Sequence, residues 1–221
     1  MSRDLFVEIT GKFAASVSVP LNADGERGYG DENEIKETVH RLIAAGVAGM
    51  NLEDGAGGKP GGARGLVELS EQLRKIKAVM ETKRALGSEF FLNARVDAFH
   101  VITDPKKALD EAIQRGNAYA EAGGDCIFYL FVHSADVIGR LAKEVKAPVS
   151  ILAGPQAPSV RELQDLGVAR VSYGSAFLKA AIGATRKLAQ EILEKGTITV
   201  LKDGMQTPEI AALIAKKGRG N

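Results

Sequence analysis

The chain has 221 residues, with 29 Lys+Arg against 28 Asp+Glu, and its formal charge of +1 gives no reason to expect nucleic acid or an anionic membrane as partner. A hydrophobic content of 45% and a charged content of 26% are those of a globular protein, long enough for one large α/β domain or two small ones. Cys126 is the single cysteine, which excludes an intramolecular disulfide and a cysteine-based zinc cluster and fits a reducing compartment.

In chain order, residues 3–15 place Leu5, Phe6, Ile9 and Phe13 at helical spacing, and no long apolar core follows Met1, so no signal peptide is expected. Ser16–Ala23 reads as a strand. Asp31, Glu32 and Glu34 put acids in a first helical turn, where they favour the helix dipole, with Ile35, Val39, Leu42 and Ile43 inward and Gly46 as the stop. A strand over 48–53 leads into 55–65, a segment too glycine-rich for regular structure. A helix over 69–86 follows, with Leu73, Ile76, Val79 and Met80 inward, then a strand over 90–98 and a helix over 105–122. Residues 126–132 are almost wholly apolar, as a strand buried on both faces should be. Helix 135–145, strand 148–153, helix 158–166, strand 170–175 and helix 177–195 complete the alternation, and the tail 196–221 holds a short helix over 208–217. No run reaches the roughly 18 apolar residues of a spanning helix, so the expected location is the cytoplasm. The pattern predicts parallel βαβ units in a single domain over 1–221. About six strands are encoded where a closed (β/α)₈ barrel needs eight, leaving an open doubly wound sheet and an incomplete barrel as alternatives.

Three of these strands stop on charge: the first on Asp24 and Glu26, the second on Glu53 and Asp54, the third on Arg95 and Asp97. Parallel α/β proteins bring strand C-termini to one shared site, so these residues are candidates for a hard-cation site beside an anion-binding arginine. The plainer readings are that Asp24 and Glu26 cap the next helix, that Asp54 holds the following loop, that Arg95 only neutralises the acids, and that Asp97 orients a neighbour. Gly28 and Gly30 suit a turn that needs positive φ. Tyr29 either lines the pocket or plugs it. His40, His100 and His133 share no ligand spacing and default to surface or structural roles.

Asp24-Gly-Glu26-Arg-Gly-Tyr-Gly30, Gly49-Met-Asn-Leu-Glu53-Asp54, Asn93-Ala-Arg95-Val-Asp97, Ala118-Tyr-Ala-Glu-Ala-Gly-Gly-Asp125 and Leu166-Gly-Val-Ala-Arg170-Val-Ser172-Tyr-Gly174 occur in one order. In that order and at that spacing, from about residue 3 to about 196, the chain resembles the isocitrate lyase/phosphoenolpyruvate mutase superfamily. The resemblance implies a (β/α)₈ TIM-barrel type of fold and an enzyme that makes or breaks a C–C or P–C bond next to the carboxylate of a small 2-oxo or 2-hydroxy acid. It implies Mg²⁺, or Mn²⁺, held by Asp24, Glu26 and Glu53, and a substrate anion gripped by Arg95 with Tyr29 alongside. Lys59 and Arg64 are the charged candidates in the gate loop, and Arg95 and Lys59 are the expected catalytic residues. A homo-oligomer formed by exchange of a C-terminal helix is also implied.

Two departures from the superfamily pattern shape the expectation. The strand–helix–strand with which members begin has no counterpart here, so the barrel is expected to be incomplete at its N-terminus. The lyase motif with its acid/base cysteine is absent as well, since 55–65 contains neither Cys nor His. The alternative function is therefore a catalytically silent family member that acts only as a folded, oligomeric remnant.

Overall fold

The computed structural model describes residues 1–57 and 65–216. Ser2 caps α1 (Arg3–Ala15), and β1 is the short strand Asn22–Asp24. Asp31 and Glu34 form a capping box that opens α2 (Glu32–Ala44), and Gly46 leaves it at φ 77°. β2 (Gly49–Glu53) leads into a two-stranded antiparallel ribbon of β3 (Gly55–Ala56) and β4 (Gly65–Leu66). Then come α3 (Leu69–Ala85), β5 (Phe91–Val96), the single turn α4 (Ala98–Val101) and α5 (Pro105–Glu121). Next are β6 (Cys126–Tyr129), α6 (Ala135–Glu144), β7 (Val149–Leu152), α7 (Val160–Asp165) and β8 (Arg170–Ser172). The C-terminal part holds α8 (Ala176–Lys195), a 3₁₀ turn (Thr199–Asp203) and α9 (Thr207–Lys216). The chain divides into two compact units, Met1–Ser172 and Tyr173–Asn221.

In the first unit the strands run in the order β1-β2-β5-β6-β7-β8, every neighbouring pair parallel. The order never reverses. Because βαβ crossovers are right-handed, steps that all move the same way put their helices on one face. A doubly wound sheet needs a reversal to cover its second face. The side chains agree: Met50, Leu52, Leu92, Ala94, Ile127 and Ile151, all on one face, are completely buried. Their neighbours on the other face are Asp24, Asn51, Glu53, Asn93, Arg95 and Ser150. The sheet also curls toward that polar face. The Arg170 guanidinium lies 5.9 Å from the Phe91 ring centroid, although β6 and β7 separate their strands; three strand spacings in a flat sheet would be about 14 Å. The fold is thus α/β of the barrel type, with six strands in its main sheet among the described residues.

Several expectations change. Ser16–Leu21 is not strand; only Asn22–Asp24 finds register with β2, from Asn22 opposite Gly49 to Asp24 opposite Asn51. On α1 the buried positions are Phe6, Val7 and Thr10, while Leu5, Ile9 and Phe13 are exposed. Helical spacing identified an apolar stripe but not which edge of it faces α2 and the sheet. The glycine-rich segment 55–65 has regular structure at both ends, because β3 and β4 pair with each other, Gly55 opposite Leu66. β6 is buried at all four positions, as expected, but ends at Tyr129. Among the described residues no helix is long and apolar enough to cross a membrane.

Candidate functional site

The first wall is the turn after β1. Gly28 and Gly30 have φ of 87° and 148°, as the sequence suggested, but Glu26 and Tyr29 are also left-handed at 46° and 64°. Such conformations cost non-glycine residues about 1–3 kcal/mol each and persist only where the surroundings impose them. Here they do. Gly25 N–H donates to Asn51 O at 3.1 Å, Glu53 N–H to Glu26 O at 2.8 Å, and the Thr38 hydroxyl to Gly28 O at 3.1 Å. Lys75, buried on α3, reaches Arg27 O at 3.4 Å. At Gly25 a Cβ would sit 2.8 Å from Asn51 O, so only glycine lets β1 turn this closely over β2.

The second wall comes from β2 and β5, whose register puts Glu53 opposite Arg95. Arg95 Nη1 meets Glu53 Oε2 at 2.5 Å, and its Nε and Nη2 donate to Asp97 Oδ1 at 3.0 and 2.9 Å. Asp97 is 2% exposed and orients the guanidinium. Burial pushes the Glu53 carboxyl up, opposed by Arg95 and reinforced by Asp97, Asp24 and Glu26. Asp54 turns the opposite way into the helical layer. It is wholly buried and accepts from the Tyr119 hydroxyl at 2.7 Å, Arg115 Nη1 at 3.2 Å and Asp97 N–H at 2.8 Å. These partners assign Asp54 to holding the two strand ends, not to facing solvent.

Between the walls lies a cavity of about 340 Å³ lined by Asp24, Glu26, Glu53, Arg95, Asp97 and His100, with Gly55, Ala56, Gly57 and Val101. That volume is at the small end for ligand sites and suits a compact acid. Asp24, Glu26, Glu53 and Arg95 therefore meet around one space. Tyr29 does not: it stacks on Phe6 at 4.8 Å and lines a neighbouring cavity of about 410 Å³ with Glu26, Arg27, Glu71 and Lys75. Lys59 and Arg64 lie outside the described residues. Cys126 is buried, and burial pushes its thiol up to about 11, which makes it a packing residue. Among the described residues no three His, Cys, Asp or Glu side chains converge as a direct metal shell. The carboxylate set fits instead a hard cation that keeps its waters.

His100 at this cavity was not anticipated. Its signal lies in position: three residues after Asp97, on the turn that directly follows β5.

The sequence model described as phosphoenolpyruvate phosphomutase matches residues 1–193. The chain belongs to this family. It is 30% identical over 199 residues to the 2,3-dimethylmalate lyase of Eubacterium barkeri, covering 87% of this chain and 66% of the relative. Against two 2-methylisocitrate lyases, from Aeropyrum pernix and Escherichia coli, it covers 61% and 64% of their length, so it spans somewhat less than two thirds of these curated relatives. Among solved structures, a putative lyase/mutase from Burkholderia cenocepacia J2315 superposes with a TM-score of 0.87 at 32% identity, over 97% of this chain and 76% of that one. A phosphonopyruvate hydrolase solved with oxalate and Mg²⁺ gives 0.79 at 28% identity, over 99% and 76%.

Proposed function

We propose that this member of the phosphoenolpyruvate phosphomutase family is a Mg²⁺-dependent enzyme, with Mn²⁺ as an alternative ion, acting on a small 2-oxo or 2-hydroxy acid. It makes or breaks a C–C or P–C bond next to the carboxylate. The observation that carries the reading is the meeting of Asp24, Glu26 and Glu53 with Arg95 around one small cavity. Three acids that line one cavity favour a cation between them, and hard oxygen donors are what Mg²⁺ takes. When bound, the ion stabilises the enolate that bond cleavage generates. Arg95 offers a planar donor fork to the substrate carboxylate, Asp97 fixes that fork, and Tyr29 supports the turn that carries Glu26. Lys59 is proposed as a gate-loop cation. The oxalate and Mg²⁺ carried by the related phosphonopyruvate hydrolase support the choice of ion and of ligand class.

The test is a thermal-stability titration with Mg²⁺ or Mn²⁺ and oxalate, an enolate mimic. Oxalate should raise the midpoint only when the metal is present, and Glu53→Gln should abolish that rise. Stabilisation by ligand grows as the logarithm of concentration over Kd, about 2.7 kcal/mol at a hundredfold excess. A flat response would remove the reading. The second reading, a catalytically silent remnant, is favoured by one contact: Glu53 at 2.5 Å already neutralises Arg95. It predicts folding without any metal-dependent oxalate response. Self-association of the chain is proposed as well, supported by the exposed apolar residues of the second unit.

A further inference from the structure

Among the described residues, the charged groups that line the cavity are four carboxylates and one arginine. An arginine stays charged at working pH and cannot hand over a proton. Residues 55–65 contain no cysteine or histidine to do so. The proposed chemistry nonetheless needs a group that gives and takes a proton near neutrality, and imidazole is the side chain whose ordinary range lies there.

His100 is the histidine that lines this cavity. It rides on α4, whose first turn closes on the cap residue Asp97, with His100 N–H donating to Asp97 O at 2.9 Å. Its ring lies nearly flat on Phe131, with centroids 4.5 Å apart and planes 25° apart. Phe131 follows β6 and is left-handed at φ 60°, an uncommon conformation for a bulky residue. The imidazole is thus backed from the neighbouring strand end and shares the cavity with Arg95 of β5, Asp97 that follows it, Glu53 of β2, Asp24 of β1 and Glu26 in the turn after it.

We propose that His100 is the catalytic acid/base that protonates the enolate carbon, an assignment that rests on the function proposed above. In cleavage of a 2-oxo acid that carries a second carboxylate on C3, the electron pair of the broken C–C bond stays on C3 as the enolate of the remaining 2-oxo acid, and the departing carboxylate leaves as carbon dioxide. His100 as imidazolium delivers one proton to C3 and recovers one from solvent; nothing is oxidised or reduced. In the opposite sense, neutral His100 removes that proton from C3 of the 2-oxo acid.

Two measurements test this on the whole chain with Mg²⁺. Exchange of the pyruvate methyl protons for deuterium in D₂O, followed by NMR, should be catalysed by the unmutated chain and fall at least about 100-fold in His100→Gln. In the same variant the metal-dependent thermal shift with oxalate should remain. On the unmutated chain, oxalate should move one of three imidazole resonances, the one missing from His100→Gln, with those of His40 and His133 as references. No exchange by the unmutated chain, exchange retained in His100→Gln, or an unmoved His100 resonance would each overturn the assignment; retained exchange would turn attention to Glu53. Absence of oxalate binding in both proteins would instead overturn the function on which the assignment rests.

Discussion

Asp54 shows how two adjacent acids acquire unrelated roles. Glu53 and Asp54 are neighbours in sequence, but successive side chains at a strand end leave on opposite sides. Glu53 enters the cavity; Asp54 enters the helical layer and joins Tyr119, Arg115 and the Asp97 amide. Burial pushes its carboxyl up even though these donors pull the other way. For a group with a raised folded-state value, ionisation at neutral pH weakens the fold, so the donors offset a standing cost. Tyr119→Phe removes the shortest of the three and should cost about 2 kcal/mol in urea denaturation, as for a hydrogen bond to a charged group. Asp54→Ala should cost more, toward the lower end of about 3–5 kcal/mol, because Glu111 still pairs with Arg115 at 2.6 Å. Were Asp54 a solvent-facing ligand, both changes would be nearly silent in stability.

Among the elements, α5 shows what its pattern hides. Asp104 caps it, Pro105 starts it and its apolar spacing is regular, all of which is legible in the sequence. Gly116 in its middle is not, since glycine weakens a helix by about 1 kcal/mol relative to alanine. The structure explains it: a Cβ there would fall on the Tyr129 hydroxyl, which donates to Ala112 O at 3.0 Å. Overpacking of about 1–3 kcal/mol should outweigh the propensity gain, so Gly116→Ala should lower the thermal midpoint. Combining it with Tyr129→Phe, which clears the space at the loss of one hydrogen bond, should recover part of that loss. If Gly116→Ala stabilised the protein, α5 would not pack on β6 as described. The ribbon of β3 and β4 is a different case: two-residue strands are below what any periodicity can signal.

On the scale of the whole molecule, the two units differ in how they treat apolar side chains. The first buries a contiguous core between its helices and the outer face of the sheet. The second leaves Phe177, Leu178, Ile182 and Ile214 exposed, and Leu193 at 86%. Apolar surface on this scale is of the kind that protein–protein contacts cover, which supports the proposed self-association. The self-association proposed above predicts a concentration-dependent mass in sedimentation, shifted toward monomer by Phe177→Glu together with Leu193→Glu. A monomer at every concentration would count against it.

The alternation of strand and helix along the chain, the acidic first turn and Gly46 stop of α2, the charged strand ends and the fully buried β6 were all determined by the sequence alone. Each of them follows from local periodicity or from the chemistry of a few consecutive residues. The family resemblance rests on those same stretches. Whether the sheet is singly or doubly wound was decided only by the tertiary structure, because strand order is a property of crossovers that leaves no local trace. The same holds for the exposed edge of α1, the turning away of Asp54, the placement of Tyr29 beside a second cavity and the arrival of His100 at the first. Each depends on which distant element lies opposite, and that is set by the register of neighbouring strands and the curl of the sheet.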